Sequence, residues 1–247
     1  MPWLTERFRV TLVNLPGLHG SACIPPGIEG YADRLASVFA PGGLAKNTIV
    51  IGNGFGGTAA VAMALRHGEK FSKLVLSDVA AGFPPEGRKA FEVMAAKVEN
   101  EGIGSVATIS ANRVFHEAYL AAHPGAVEER RSVLRGIAPE GFIAACRSLM
   151  TADLTPQLSS VYNPTRVICG ELDAATPPLL CRLLAEKIPD ASYFELPGCG
   201  HCPPLEQPEA CCLSASRVGE LSSYRALTPS LWKKPIAPVR SCASVPR

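Results

Sequence analysis

Three short stretches of this chain carry residue types that could do chemistry. The first is Gly52-Asn53-Gly54-Phe55-Gly56-Gly57, set between the run Thr48-Ile49-Val50-Ile51 and an alanine-rich pattern from Thr58 to His67. Gly52-x-Gly54-x-x-Gly57 fits a dinucleotide fingerprint, whose glycines bring a pyrophosphate close to a helix N-terminus. Asp78 would then be the ribose acid, a few residues later than the usual spacing. Gly52-x-Gly54-x-Gly56 also fits a nucleophile elbow, Gly-x-Ser-x-Gly, with glycine in the serine's place. The second stretch is Gly170-Glu171-Leu172-Asp173-Ala174-Ala175-Thr176-Pro177. The third runs from Pro197 to Glu209 and holds Cys199-Gly200-His201-Cys202. A Cys-x-x-Cys pair can exchange disulfides where a helix N-terminus activates the first thiol. Here no tryptophan precedes the pair and Pro203-Pro204 follows it, which argues against that use. A zinc site with Cys211 or Cys212 would lack a second spaced pair.

Elements must position these stretches. Residues 8–14 predict a strand ended by Leu15-Pro16-Gly17. A helix pattern runs from Gly30 to Phe39. Thr48–Ile51 and Leu74–Leu76 read as buried parallel strands, with the helix Thr58–His67 between them. Residues 88–100, 104–122, 126–135 and 139–150 read as helices. Arg166–Cys169 returns to strand, Pro178–Lys187 to helix and Ser192–Leu196 to strand. Strands alternating with helices predict an α/β fold, a mostly parallel sheet flanked by helices. The helical block at 84–160 interrupts the alternation and is expected to be an inserted cap.

Taken with its surroundings, the glycine turn resembles the elbow of the α/β-hydrolase family, most closely capped lactone and ester hydrolases such as 3-oxoadipate enol-lactonases. Asn14-Leu15-Pro16-Gly17-Leu18-His19-Gly20-Ser21 is similar to the family's Asp-x-Pro-Gly-x-Gly-x-Ser loop, one residue displaced. The Asp173 turn resembles the acid-bearing turn, and Pro197–Glu209 the histidine loop. Elbow, acid and histidine come in the family's chain order. The likeness covers about residues 3–210. It implies that His201 is the base, that Asp173 orients it, and that the Phe55 backbone N–H is one oxyanion donor. Gly54 takes the nucleophile position without a nucleophile. Glycine removes a backbone strain of about 1–3 kcal/mol there, so the fold should survive while acyl-enzyme chemistry is lost.

The same resemblance implies an incomplete fold. Met1 aligns just before the family's fourth strand, so three strands and the loop with the second oxyanion donor fall outside the sequence. Either strand 8–14 pairs with 48–51, or the chain is an incomplete version of a longer protein. From Cys211 onward the composition resembles an out-of-frame reading of a GC-rich gene. The expected division is a hydrolase core of 1–83 and 161–210, a cap of 84–160, and a poorly ordered basic tail of 211–247.

Composition bounds the rest. Apolar residues are 47% and charged residues 19% of 247, which excludes a disordered chain. No apolar run nears eighteen residues, and the N-terminus lacks a secretory signal. Nine cysteines is an odd number, which fits reduced thiols in a cytoplasm. The net charge of +2 does not suggest nucleic acid. It divides into +5 for residues 211–247 and −3 for residues 1–210. The expected partner is a small-molecule substrate or ligand, with no nucleic acid, membrane, metal or cofactor; the oligomeric state is unknown. His116 and His123 read as surface histidines. Phe83, Phe91, Met94, Phe115 and Phe142 read as pocket lining or as core. The expected function is that of a lactone or ester hydrolase relative with weak or no serine-type hydrolysis, His201 acting on a water in the space left by the serine. The alternatives are a non-catalytic or vestigial binder and a dinucleotide-binding oxidoreductase.

Overall fold

In the computed structural model, which describes residues 2–39 and 46–218, the chain opens with two helices, α1 (Pro2–Thr5) and α2 (Ile28–Ser37). Strand β1 (Ile49–Asn53), helix α3 (Gly54–His67) and strand β2 (Lys73–Ser77) follow. A helical segment comes next: α4 (Pro85–Glu101), α5 (Ala107–Val114), α6 (Glu117–Ala122), α7 (Ala126–Arg135) and α8 (Pro139–Thr151). The chain then returns to β3 (Thr165–Gly170), α9 (Pro178–Lys187) and β4 (Ala191–Leu196), and closes with α10 (Pro203–Glu206) and α11 (Pro208–Ala215).

The four strands form one sheet in the order β1-β2-β3-β4, every pair parallel. Period-two alternation sends Leu74, Leu76, Val167 and Cys169 to one face, where residues of α2, α3 and α9 complete the main core. Val75, Ile168 and Leu196 point to the other, where Ala210 and Cys211 of α11 cover them with Val218. Both faces of the central strands β2 and β3 are thus buried, which is why Leu74–Leu76 and Val167–Cys169 read as continuous apolar runs. The helices between β2 and β3 hold a separate apolar cluster around Phe83, Phe91, Met94, Val98, Leu134 and Leu149.

Three expectations are corrected. Residues 8–14 form no strand: Phe8, Leu12 and Val13 are exposed, and no strand pairs with them among the described residues. Among the described residues the sheet ends at β1, whose Ile51 is 52% exposed. The predicted helix 104–122 is three pieces, a 3-10 turn at Ile103–Val106, then α5 and α6, because Phe115 takes an extended conformation. Finally, residues 211–215 are helical and not a loose tail. Ser214 accepts a hydrogen bond from Arg166 of β3 at 3.1 Å, and Cys211 lies in the core. Residues 219–247 lie outside the described residues, as do residues 40–45.

Candidate active site

The C-terminal ends of the parallel strands bring the three stretches together. β1 runs into α3 through a sharp turn at Gly54, whose φ of 52° lies in the left-handed region. The direction of a side chain at Gly54 is toward His201. A Cβ built there would lie 2.9 Å from His201 Nε2 and 3.5 Å from Cε1. The imidazole therefore stands directly beside the glycine, with Nε2 the ring atom nearest to it. The Phe55 N–H lies in the first turn of α3, where helix N–H groups have no intrahelical acceptor. Its ring packs edge-on against Tyr31 at 4.8 Å.

Asp173 and His201 meet as the motifs suggest. His201 Nδ1 lies 2.9 Å from Asp173 Oδ2, with the carboxylate fully buried and the imidazole 12% exposed. An anion at Asp173 fixes the neutral tautomer as Nδ1–H and leaves Nε2, facing Gly54, as the basic nitrogen. Asp173 also ends its own turn. Oδ1 accepts the Ala175 and Thr176 N–H groups at 2.7 and 2.9 Å, and Oδ2 accepts the Thr176 hydroxyl at 2.5 Å. Burial pushes this carboxyl up, but His201 and Thr176 outweigh it and hold it below the usual range.

Residues not singled out from sequence hold the histidine loop. Asn53 Nδ2 donates to the Ser77 carbonyl at 3.0 Å and to the His201 carbonyl at 3.1 Å, tying the elbow strand to that loop. Glu206 accepts from the Gly200 and Cys202 N–H groups at 2.9 and 3.1 Å. The His201 N–H donates to the Val114 carbonyl at 3.0 Å, which docks the loop against the end of α5. Only Glu206 left a sequence signal, as an acid within the histidine loop five residues after His201.

The competing motifs are used otherwise. A Cβ on Gly52 would meet the Gly57 backbone at 2.6 Å, and one on Gly57 would meet Val79 Cγ2 at 2.0 Å. These glycines let the turn close on itself and on the segment after β2. Asp78 is wholly buried and cannot reach a ribose. Cys199 is buried, and burial pushes the Cys202 thiol up to about 12, opposite to what an exchanging thiolate needs. His116 accepts the Ala118 N–H as the cap of α6, and His123 stacks on Tyr119 at 4.0 Å. Phe83, Phe91 and Met94 are core, Phe142 packs on them, and Phe115 stacks on Tyr119. Among the described residues one group of three potential metal donors converges, the buried Asp78, Cys169 and Asp173.

Residues 3–212 match the alpha/beta hydrolase family. The chain belongs to that family. It is 27% identical over 222 residues to a pimeloyl-(acyl-carrier protein) methyl ester esterase of Aromatoleum aromaticum, covering 85% of this chain and 87% of that one. Among solved structures it resembles a thermophilic esterase from Thermogutta terrifontis, with 31% identity and a TM-score of 0.72 over 82% of this chain and 75% of the other. An enol-lactonase from Burkholderia xenovorans LB400 superposes with a TM-score of 0.73 at 26% identity, over 82% and 76% of the two chains. Among the described residues no helix is long and apolar enough to cross a membrane.

Proposed function

We propose that this alpha/beta hydrolase is a lactone or carboxylic-ester hydrolase relative, enol-lactonase-like, that retains an acid–imidazole pair and lacks the nucleophile. Serine-type hydrolysis of a small-molecule substrate is then weak or absent. The observation that carries this reading is the aim of the Gly54 side-chain direction at His201 Nε2, 2.9 Å away, while Nδ1 of the same ring is held by Asp173. That is the arrangement in which a base takes a proton from a nucleophile at position 54. Glycine there has no atom to form an acyl-enzyme. The Phe55 N–H is the oxyanion donor of this half of the site, and the helices of 84–160 are its cap.

Hydrolysis of p-nitrophenyl acetate and of an enol-lactone tests the reading. The unmodified chain and His201→Ala are expected to hydrolyse both at rates close to buffer alone. An initial burst of p-nitrophenol stoichiometric with the unmodified chain would overturn it, because a burst reports an acyl-enzyme.

A further inference from the structure

One buried titratable group, Asp78, takes no part in the chemistry above. It follows the last residue of β2, and its φ of 55° is rare for a residue other than glycine. Its N–H donates to the Ile168 carbonyl at 2.8 Å, so the parallel register of β2 with β3 carries it alongside the acid strand. The carboxyl is completely buried. Oδ1 accepts the Gly170 N–H at 2.8 Å, and Oδ2 accepts the Ser77 hydroxyl at 2.7 Å. Ligand atoms of Asp78, Asp173 and Cys169 lie within 4.8 Å of one another.

Two carboxyls so close in a buried site do not both ionise. The donors decide which one does. Asp173 receives two backbone N–H groups, a hydroxyl and the His201 ring. Asp78 receives one N–H and one hydroxyl. We propose that Asp78 is a positioning residue, a neutral carboxylic acid that donates its O–H to the Asp173 carboxylate, so that Asp78, Asp173 and His201 form one hydrogen-bonded chain. Burial and the Asp173 charge push the Asp78 carboxyl up to about 9, in the same sense. The other titratable groups facing it are the thiols of Cys169, Cys199, Cys202 and Cys211, with His201 beyond Asp173. None of these thiols can carry a positive charge that would favour a second carboxylate, and His201 already pairs with Asp173.

The arrangement leaves one negative charge behind the imidazole in place of two. A second would bind the imidazolium proton more tightly and hinder its return to a leaving group. The Asp78 O–H is then one more donor to the Asp173 carboxylate. The inference deepens the acid–imidazole reading and rests on it.

NMR titration of the full-length protein tests both and separates them. The Asp78 13Cγ resonance of the unmodified chain is expected to keep the position of a protonated carboxyl through neutral pH. Asp78→Asn, whose amide keeps a neutral donor, is expected to move the His201 titration midpoint by less than about half a pH unit. A fall of about one unit or more in Asp78→Asn would show that Asp78 carried a charge, and would overturn the proposal. Asp173→Asn is expected to lower that midpoint by about one unit or more. If it does not, the pairing of Asp173 with His201 fails, and the role of Asp78 fails with it. Should Asp78→Asn not fold, an Asp78 13Cγ signal already ionised at pH 7 overturns the proposal alone.

Discussion

On the β3–β4 side of the site the acid and the histidine loop are densely hydrogen-bonded. Asp173 collects four hydrogen-bonded groups, and the His201 loop is held by Glu206, Asn53 and Val114. On the β1 side the strand has a neighbour along one edge only among the described residues, Ile51 is half exposed, and the turn carries no side chain at position 54. The difference has a physical cause. The acid and the imidazole satisfy each other and their own loops, so the desolvation of Asp173 is offset locally. Nothing in that network needs a nucleophile. The elbow turn, by contrast, depends only on backbone geometry, and glycine adopts it without strain.

The most severe test is to give the β1 side what it lacks. Gly54→Ser is expected to raise ester hydrolysis on the order of 10⁴-fold, read by steady-state kinetics on p-nitrophenyl acetate. The His201 ring must first yield, since the new Cβ would lie 2.9 Å from Nε2. Placing a non-glycine residue at this φ is expected to cost about 1–3 kcal/mol of stability. Adding Asp173→Asn should then remove most of the gain. A folded Gly54→Ser protein at the unmodified rate would show that the β1 side lacks more than one hydroxyl.

A second test asks what burial costs on the intact side, where two carboxyls carry opposite signs. Asp173 is held below its usual range, so its contribution is present above the unfolded value and is lost as pH falls through the folded one. Asp78 is pushed up to about 9, so its contribution is complete below the unfolded carboxyl value and is lost as pH rises toward 9. Between those limits the unfolded chain releases this proton and the folded chain keeps it. Asp78→Asn removes that slope. It is expected to be more stable than the unmodified chain by about 2–4 kcal/mol at pH 7 and no more stable near pH 4, by urea unfolding. Equal stability at both values would show that Asp78 is not held neutral by the fold.

A smaller effect is expected from Thr176→Val, which removes the hydroxyl that donates to Asp173 at 2.5 Å and lies 3.2 Å from His201 Nδ1. A buried carboxylate left one donor short should lose about 1–3 kcal/mol, measured by the same unfolding experiment. An unchanged midpoint would mean that the two backbone donors suffice.

The two sides also differed in how well they could be read from sequence. β2 and β3 are legible because strands buried on both faces leave continuous apolar runs. Asp173 and His201 were legible because their turns carry local signatures. The proximity of Asp78 to Asp173 was not, since it depends on the β2–β3 register, where Ser77 pairs with Ile168. Residues 8–14 have the composition of a strand, but a strand is a pairing between segments, and no described segment pairs with this one. α11 was missed for a different reason. Its serines and cysteines suggested loose chain, although Pro208 at the start and Glu209 in the first turn are ordinary helix-opening signals.

The smallest expected effect lies at the open edge. Ile51 and Ile168 are the same residue type on parallel strands of one sheet, 52% and 0% exposed. The outer edge of β1 offers backbone groups to whatever strand approaches, and an exposed isoleucine there makes such pairing more favourable. A lysine would oppose it by charge while leaving the inner edge of β1 bonded to β2. Ile51→Lys is therefore expected to change unfolding stability by no more than about 0.5 kcal/mol and to reduce self-association in light scattering at high protein concentration. If Ile51→Lys instead destabilises the fold as a core substitution would, the β1 edge is covered in the native protein, and the asymmetry between the two sides of the site is smaller than the described residues indicate.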